Sequence, residues 1–276
     1  MKGTPIVIYL ALGWMVVVVT VALGADLISP YDYLAMDLRT RLAPLAWLGG
    51  AWLHPLGTDE LGRDVLSRLI QSTRTSIVVA IIGTAVGACL GTGIGLAAAR
   101  YRGFVDDVVL AAIDFQAALP FLILALAALA FLDGSFVVFV ALMGVYGWER
   151  YARIVRAMTL SAQTRGYAIA LRVLGASPLH LYLRHILPNI ASAIIVNVTL
   201  TFPEIILLET SLSFLGIGIQ PPATSLGNMV GFGRDYLMTA WWIAVAPSVV
   251  IFLTTLSLSL LGDWLRDRFD PALRAA

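Results

Sequence analysis

The sequence is poor in charge and in cysteine, and each shortage excludes a class of protein. Only 13% of the 276 residues are charged, against roughly 25% in a soluble domain, which excludes an ordinary soluble domain. The single cysteine, Cys89, excludes an intrachain disulfide and a cysteine-based metal centre. The formal net charge is +1, so the composition gives no reason to expect nucleic acid as a partner.

Patterns of catalytic and nucleotide-binding residues are also missing from the sequence. It contains no nucleophile–base constellation, no metal-ligand spacing and no glycine-rich phosphate loop after a strand. The three histidines, His54, His180 and His185, fall in predicted loops. We therefore expect a chain that catalyses nothing and that binds no metal or cofactor itself. A membrane-embedded enzyme is a disfavoured alternative, and a structural scaffold subunit is another.

Long apolar runs are what the sequence has in abundance. Hydrophobic residues make up 59% of the chain, and the mean hydropathy is +0.89. A helix of about 20 apolar residues crosses a bilayer. Six segments are candidates for such spans: 5–24, 76–99, 108–132, 135–148, 190–215 and 240–261. The predicted fold class is therefore an all-α polytopic membrane protein with six transmembrane helices, and Asp133-Gly134 is predicted to be a tight turn.

The connections between the predicted spans indicate an orientation. Lysine and arginine are more frequent in the connections that lie inside when the N-terminus is cytoplasmic. We therefore expect both termini, and the loop 149–189, in the cytoplasm. Segment 5–24 is longer than the apolar region of a signal peptide, so we interpret it as a retained span. Residues 1–75 then form the first transmembrane helix plus an extracytoplasmic loop with an amphipathic segment, and residues 76–276 form a five-helix core.

Glycines recur at every fourth residue of the second predicted span, at Gly83, Gly87, Gly91 and Gly95. This spacing places them on one helix face, where missing side chains allow another helix to approach closely. We interpret the stripe as a helix-packing surface. A glycine lining of a transport path is the alternative.

Ionisable residues inside predicted spans are costly and are candidates for function. Asp114, with Gln116 nearby, lies in the third span, and Glu204 and Glu209 lie in the fifth. We interpret these four residues as candidates for a translocation path or gate. The same carboxylates would serve a proton-coupled secondary transporter, which is the main alternative function. A basic stripe after the fourth span, interpreted as a membrane anchor or a docking stripe, consists of Arg150, Arg153 and Arg156.

The first loop contains Gly57-Thr58-Asp59-Glu60-Leu61-Gly62-Arg63-Asp64-Val65-Leu66-Ser67-Arg68. Thr58 or Asp59 is suited to cap a helix start. One helical face would then carry Leu61, Val65, Leu66, Leu69 and Ile70. This pattern predicts an amphipathic helix at the membrane surface.

Residues 166–189 form an arginine-bearing loop with two short helical patterns. One face of the first carries Tyr167, Ala170, Leu171 and Leu174, and one face of the second carries Leu179, Tyr182, Leu183 and Ile186. Gly175 is predicted to end the first helix, and Pro178 to begin the second. Apolar helix faces in a loop need a surface that buries them, either the rest of the chain or a partner's groove.

Several of these runs resemble one protein family. The run 57–68 resembles the signature of the dipeptide, oligopeptide and nickel branch of permease subunits in ATP-binding-cassette importers. Three other runs resemble the same branch: 209–222, 227–229 and 262–271. The loop 149–189, with segment 166–189, resembles its cytoplasmic coupling loop, where an external ATPase contacts the permease. The resemblance is to the second, C-type, permease and covers most of the chain.

The resemblance implies a type I importer fold and half of a translocation path in a bacterial inner membrane. It implies a second homologous permease, two cytoplasmic ATP-binding subunits that hold ATP and Mg²⁺, an extracytoplasmic solute-binding protein and surrounding lipid. The implied signature residues are Gly57, Thr58, Asp59, Gly62, Arg63 and Asp64. The implied ATPase contacts are Tyr167, Ala170, Leu171, Gly175, Ala176, Leu179, His185 and Pro188.

The chain departs from the family pattern at three positions. Ile169 stands in place of the usual glutamate before the coupling glycine, Leu226 in place of a tryptophan, and Ser259 in place of an asparagine. The branch handles di- and oligopeptides, nickel and other small solutes. Because the predicted spans contain no cluster of histidine or cysteine, we expect peptides or similar organic solutes as the substrate.

Overall fold

The computed structural model describes residues 5–132 and 135–269 and is built from helices and their connections. The α-helices are α1 (Ile6–Leu23), α2 (Ala25–Ile28), α3 (Val65–Tyr101), α4 (Phe104–Ala118), α5 (Phe121–Phe131), α6 (Phe136–Val145), α7 (Trp148–Gln163), α8 (Gly166–Val173), α9 (Pro178–His180), α10 (Leu187–Phe214), α11 (Leu226–Gly233) and α12 (Trp242–Phe269). A π-helical turn, Leu181–Ile186, joins α9 to α10, so Pro178–Phe214 is one continuous helix. The expected all-α class is confirmed.

The spans differ from the six continuous helices that the sequence predicts. Within the described ranges, four helices are long and apolar enough to cross a membrane: α1, α3, Pro178–Phe214 and α12. The third predicted span is the pair α4 and α5, which is bent by 90°. The fourth contains α6, whose 10 residues reach about 15 Å, half of the hydrocarbon thickness. The turn expected at Asp133-Gly134 lies outside the described residues.

A proline causes the break in the third predicted span. Pro120 has no N–H to donate, and a proline disfavours the helical conformation of the residue before it. Leu119 accordingly has an extended backbone, with φ −103° and ψ 130°. Pro120 then occupies the N-cap of α5, so the chain starts a new helix in a new direction.

The predicted amphipathic surface helix is instead the first part of the long helix α3. Asp64, and not Thr58 or Asp59, is the N-cap, since its side chain accepts a hydrogen bond of 2.7 Å from the N–H of Ser67. Val65 is buried among loop and helix side chains that include Leu45, Met229 and Trp242. The surface-helix prediction is wrong because tertiary packing covers the apolar side that the pattern assigns to a membrane surface.

The glycine stripe of α3 lies against α6 and α7. A Cβ atom on three of the glycines would come closest to backbone carbonyl oxygens: 2.8 Å from Tyr146 at Gly87, 2.3 Å from Trp148 at Gly91 and 2.6 Å from Ala152 at Gly95. Gly83 faces the Cβ of Met143 at 3.1 Å. A backbone oxygen cannot rotate away as a side chain can. The backbones of α3 and α7 are therefore in direct contact at Gly91 and Gly95.

One core joins most of the helices. Its buried members include Val18 of α1, Ile77 of α3, Ala125 of α5, Phe139 of α6, Ile205 of α10, Leu226 of α11 and Ile251 of α12. The first helix is also held by a polar contact, in which the indole N–H of Trp14 donates to Thr254 Oγ1 at 3.1 Å. Helix α1 is therefore packed on the bundle along α12.

We predict that Gly91→Ala destabilises the bundle and that Gly93→Ala, on the same helix, does not. A methyl group at position 91 meets Trp148 O at 2.3 Å and Tyr151 Cβ at 2.6 Å, and such overpacking costs about 1–3 kcal/mol. Position 93 has nothing within 4 Å of a Cβ, so only the better helix propensity of alanine remains. Thermal unfolding in detergent compares the two variants, and equal melting temperatures would contradict the packing role.

Candidate coupling surface and translocation site

The signature loop, residues 57–64, is a buried turn at the start of α3. Thr58 and Asp59 are fully buried, and Gly57 and Gly62 have φ of +74° and +71°. A Cβ on Gly62 would lie 1.8 Å from the carbonyl oxygen of Asp37, so only glycine fits there. Thr58 Oγ1 accepts from the N–H of Ala43 at 2.8 Å, and its carbonyl accepts from the indole of Trp242 at 3.2 Å. The loop is thereby fixed to the start of α12.

Asp59 is the charged centre of the signature loop. Its carboxylate accepts hydrogen bonds from the N–H groups of Leu61 and Arg63, each 2.9 Å, and from Arg63 Nε at 2.7 Å. It also accepts from Arg68 Nη1, and the Arg68 side chain is only 4% exposed. A buried guanidinium and a buried carboxylate are tolerated here because each is the other's partner.

Asp64 joins distant parts of the long first loop to α3. Its Oδ1 atom lies 3.0 Å from His54 Nδ1, and its Oδ2 atom accepts from Ser67 Oγ at 2.7 Å. Ser67 Oγ in turn accepts from the N–H of Tyr31 at 3.1 Å. Sequence reasoning did not find the role of His54, because its partner is set by the loop path and not by local spacing.

Asp26, just after α1, makes an exposed contact with α3. Gln71 Nε2 donates to its carboxylate at 3.0 Å, and Arg74 Nη1 donates at 2.6 Å. These hydrogen bonds, first from Gln71 and then from Arg74, hold the pKa of Asp26 below its ordinary value.

The coupling segment, residues 166–189, lies at the opposite end of α3 from the signature loop. Gly175, with φ +78°, ends α8, and the N–H of Ala176 returns to the carbonyl of Leu171 at 3.0 Å. Ser177 caps α9 by accepting from the N–H of His180 at 3.4 Å, and Pro178 occupies the first turn. Both helix boundaries lie where the sequence predicts them.

One side of the coupling segment is anchored on the bundle. Ala168, Leu181, Tyr182, Ile186 and Ile190 form a buried cluster with Val155 and Ala162 of α7. The Gln163 amide strengthens this contact, because its Nε2 donates to Tyr182 Oη at 2.9 Å and to the carbonyl of Ala99 at 3.2 Å. The segment is therefore tied to the ends of both α3 and α7.

The other side of the segment is apolar and uncovered. Val173 and Leu174 are each 82% exposed, and Leu179 is 70% exposed. The helical faces predicted from the sequence are divided between the two sides. Tyr167, Leu171, Tyr182 and Ile186 pack towards the bundle, whereas Ala170, Leu174, Leu179 and Leu183 are exposed. The π-helical turn explains part of the division, because its i→i+5 bonds rotate the residues that follow.

The remaining predicted coupling residues lie near this exposed side. Ala176 and His185 are half-buried, and Pro188 is exposed. The Nε2 atoms of His180 and His185 are 3.3 Å apart, since the π-helical turn places positions five apart on the same side. Sequence reasoning missed Val173, which belongs to neither predicted face.

The three arginines of α7 each pair with a carboxylate of this chain. Arg150 binds Glu204 of α10 at 2.9 Å, Arg153 binds Asp114 of α4 at 3.1 Å, and Arg156 binds Asp106 of α4 at 2.6 Å. The hydrogen bonds to Asp106 raise the pKa of Arg156 above its ordinary value. A free docking stripe is therefore the wrong interpretation, because the arginines connect α7 to two neighbouring helices.

The Arg150–Glu204 pair faces a cavity of about 440 Å³ between α7, α10 and α12. The side chains are 41% and 36% exposed, and Tyr146 Oη also donates to Glu204 at 3.1 Å. The cavity wall carries Leu200, Pro203, Leu207, Phe252, Thr255, Leu256 and Ser259. Glu204 belongs to a helix long and apolar enough to span the membrane, and a charged side chain within such a helix almost always faces the interior of a bundle or water.

The other candidates for the translocation path do not join Glu204. Glu209 is fully buried and accepts from Ser76 Oγ at 3.1 Å and from Ser213 Oγ at 2.8 Å. Asp114 is an exposed partner of Arg153, and Gln116 is half-buried in the last turn of α4. Of these four residues, only Glu204 lines the cavity between α7, α10 and α12.

Residues 90–275 match the family described as binding-protein-dependent transport system inner membrane component. The chain belongs to this family. The permease is 37% identical over 264 residues to the di/tripeptide transport system permease protein DppC of Pseudomonas aeruginosa, covering 95% of this chain and 87% of that protein. It is 34% identical over 265 residues to the glutathione transport system permease protein GsiD of Pectobacterium atrosepticum, and the match covers 95% of this chain and 86% of that protein.

A solved structure supports the same fold. It is described as the inward-facing conformations of the MetNI methionine ABC transporter in the CY5 native crystal form, with TM-score 0.57 and 18% identity over 73% of this chain and 96% of that chain. The expected multi-pass inner-membrane permease of an ATP-driven importer is thus confirmed. Members of this family are the non-catalytic permease components of such importers. Because the chain belongs to this family, the alternative of a proton-coupled secondary transporter is rejected.

We predict that Asp59→Asn strongly destabilises the permease, whereas Asp26→Asn does not. Loss of the Asp59 charge leaves the buried Arg68 guanidinium without compensation, which costs about 3–5 kcal/mol. Asp26 also pairs with an arginine, but its side chain is 70% exposed, and such surface pairs contribute little. Melting temperatures and yields in detergent measure the difference. An Asp59→Asn variant as stable as the wild type would contradict the proposal that the signature loop depends on the Asp59–Arg68 pair.

Proposed function

We propose that the permease imports short peptides or similar small organic solutes, as half of a path that it forms with a second homologous permease. Relatives that cover most of the chain are named for the transport of di- and tripeptides and of glutathione, itself a small peptide. A solute-binding protein outside the membrane delivers the substrate. Both termini and the coupling segment lie in the cytoplasm, and the signature loop lies on the extracytoplasmic side.

The coupling segment is the proposed contact with one of two cytoplasmic ATP-binding subunits, which hold ATP and Mg²⁺. The observation that carries this assignment is the apolar side of the segment, where Val173, Leu174 and Leu179 are exposed although the opposite side is firmly anchored. When a partner's groove removes such fixed apolar side chains from water, the free energy of the complex falls. The proposed contacts are these three residues with Ala170, Gly175, Ala176, His185 and Pro188. Tyr167 and Leu171, which pack towards the bundle, would support this surface from its inner side.

Ile169 gives this surface a specific chemistry. The position is half exposed and carries an apolar side chain where the family usually has a glutamate. We therefore expect the facing groove of the ATP-binding subunit to be apolar at this point. An arginine of that subunit would find no carboxylate to bind here.

The continuous helix Pro178–Phe214 provides a direct mechanical link from the coupling segment to the path. Its first turns belong to the segment, and Glu204 faces the cavity between α7, α10 and α12 about seven turns later. A displacement of the segment would therefore reach the Arg150–Glu204 pair along one continuous helix, which contains Pro203 just before Glu204. ATP binding would shift the population between outward- and inward-open arrangements because the ATP-bound subunits bind one arrangement more tightly.

The function is tested by affinity purification of the permease from mild detergent, followed by reconstitution. We expect a second permease and ATP-binding subunits to be recovered, with ATP hydrolysis stimulated by a peptide-loaded solute-binding protein. Uptake of a labelled dipeptide into proteoliposomes should require ATP and the binding protein. Recovery of the chain without ATP-binding subunits, or uptake of peptide in the absence of ATP, would refute the proposal.

We predict that Leu174→Asp abolishes co-purification of the ATP-binding subunits and leaves the permease folded. The side chain is 82% exposed, so the substitution breaks no internal packing but places a charge in an apolar contact. Met238→Asp is the matched control, because Met238 is 96% exposed and lies just before α12, near the signature loop. Normal ATPase recovery with Leu174→Asp would show that the subunits bind elsewhere.

A further inference from the structure

A basic cavity lies beside the coupling segment and is not used by the proposed transport mechanism. It has a volume of about 530 Å³ and lies between the end of α3, the end of α8 and the start of α9. Three arginines border it: Arg100 and Arg102 at the end of α3, and Arg172 in the last turn of α8. Its other lining residues are Tyr101, Gln163, Ala176, Pro178, Leu181 and Tyr182. The lining therefore contains three guanidinium groups and no carboxylate.

A second cavity, apolar in character, adjoins the first. Its volume is about 370 Å³, and it shares Arg100, Tyr101, Pro178 and Tyr182 with the basic cavity. The rest of its wall is mostly apolar and consists of Leu96, Ala97, Ser177, Leu179 and Leu183. Leu96 precedes Arg100 by about 6 Å along α3, towards the middle of that spanning helix. The side of the apolar cavity formed by Leu96 and Ala97 thus lies nearer the middle of α3 than the arginines do, whereas Ser177 and Leu179 form its side on the coupling segment.

Within the described residues, no ion pair neutralises the arginines of the basic cavity, and the one carboxylate in electrostatic reach of Arg102 is Asp106, which is paired with Arg156. In the described residues, Arg100 and Arg172 belong to no ion pair, and Arg102 donates to the neutral Gln163 side chain at 3.3 Å. The negative ends of α3 and α8 and the positive end of the helix Pro178–Phe214 border the cavity, so one negative helix end is left without an opposing dipole. Three full positive charges, with one carboxylate in reach of Arg102, outweigh this partial charge, so the local potential favours an anion.

We propose that the two cavities together hold an anionic phospholipid. Its phosphate would bind among Arg100, Arg102 and Arg172, since guanidinium groups bind phosphate oxygens through paired, charge-assisted hydrogen bonds. One acyl chain would lie along Leu96, Ala97 and Leu183, in the apolar cavity. Basic pockets between membrane helices at the headgroup level are suited to such lipids. The bound lipid would connect α8 to the end of α3 and so hold the coupling segment in position.

The test uses the full chain in nanodiscs of phosphatidylcholine, with or without phosphatidylglycerol. Phosphatidylglycerol should raise the melting temperature of the wild type, because a ligand that binds the folded state stabilises it. In Arg100→Gln/Arg172→Gln this rise should largely disappear. Native mass spectrometry should show retained phosphatidylglycerol reduced by about tenfold or more for each arginine lost, the effect expected of one charge-assisted hydrogen bond.

Arg165→Gln is the matched control, since Arg165 is an exposed arginine of the same loop that lines neither cavity. It should keep the full response to phosphatidylglycerol. The melting temperature of each variant in pure phosphatidylcholine reports its folding, so a response that is lost cannot be mistaken for a misfolded protein. A wild type with no response, or a double variant with the full response, overturns the proposal.

A second comparison separates a lipid from a soluble phosphate. Glycerol phosphate and inorganic phosphate are added to the chain in phosphatidylcholine nanodiscs. The lipid assignment predicts weak stabilisation by both, and it predicts that Leu183→Gln weakens retention of phosphatidylglycerol without changing the effect of glycerol phosphate. If the soluble phosphates stabilise the chain as much as phosphatidylglycerol does, and Leu183→Gln has no effect, the site binds a free phosphate and the lipid assignment fails.

Discussion

The rest of the permease depends on the backbone contact between α3 and α7. Gly87, Gly91 and Gly95 allow the carbonyl oxygens around the start of α7 to lie where side chains would otherwise be. This contact fixes the rotation of α7 about its axis, and the rotation decides where its arginines point. Because Arg150, Arg153 and Arg156 then meet carboxylates on α10 and α4, an apolar packing surface determines which ion pairs form.

Contacts at both ends fix α3 within the bundle. At one end the signature loop surrounds the buried Asp59–Arg68 pair, and at the other Gln163 joins Ala99 to the coupling segment. The helix Pro178–Phe214 runs beside α3. The two helices are joined again at Glu209, whose carboxylate accepts from Ser76 of α3. Separating them would break this buried hydrogen bond and leave the Glu209 carboxyl with one partner fewer.

Local patterns were sufficient to predict some elements, and tertiary contacts decided the others. The boundaries at Gly175 and Pro178 follow from the backbone preferences of those residues, so the sequence predicts them well. Pro120 is an equally local indicator of a helix break. The span prediction rests on the number of apolar residues, which takes no account of proline, so it does not predict the break between α4 and α5. The Arg150–Glu204 pair joins residues 54 positions apart, and His54 binds Asp64 through a loop path that no periodicity encodes. Such pairs cannot be predicted from local sequence patterns, because only the packing of the helices brings their members together.

The coupling segment has to be stiff if it is to transmit force, and its own helices are too short to provide that stiffness. Helix α8 has 8 residues, and helices shorter than about 12 are marginal without packing. Burial of Ala168, Leu181 and Ile186 fixes the segment on its inner side, and the helix Pro178–Phe214 fixes it at one end. The flank that carries Arg172 borders the basic cavity, and Arg172 belongs to no ion pair within the described chain. An anionic lipid bridging Arg172 to Arg100 would close this flank, so that movement of α8 could not be absorbed by local hinging at Gly175.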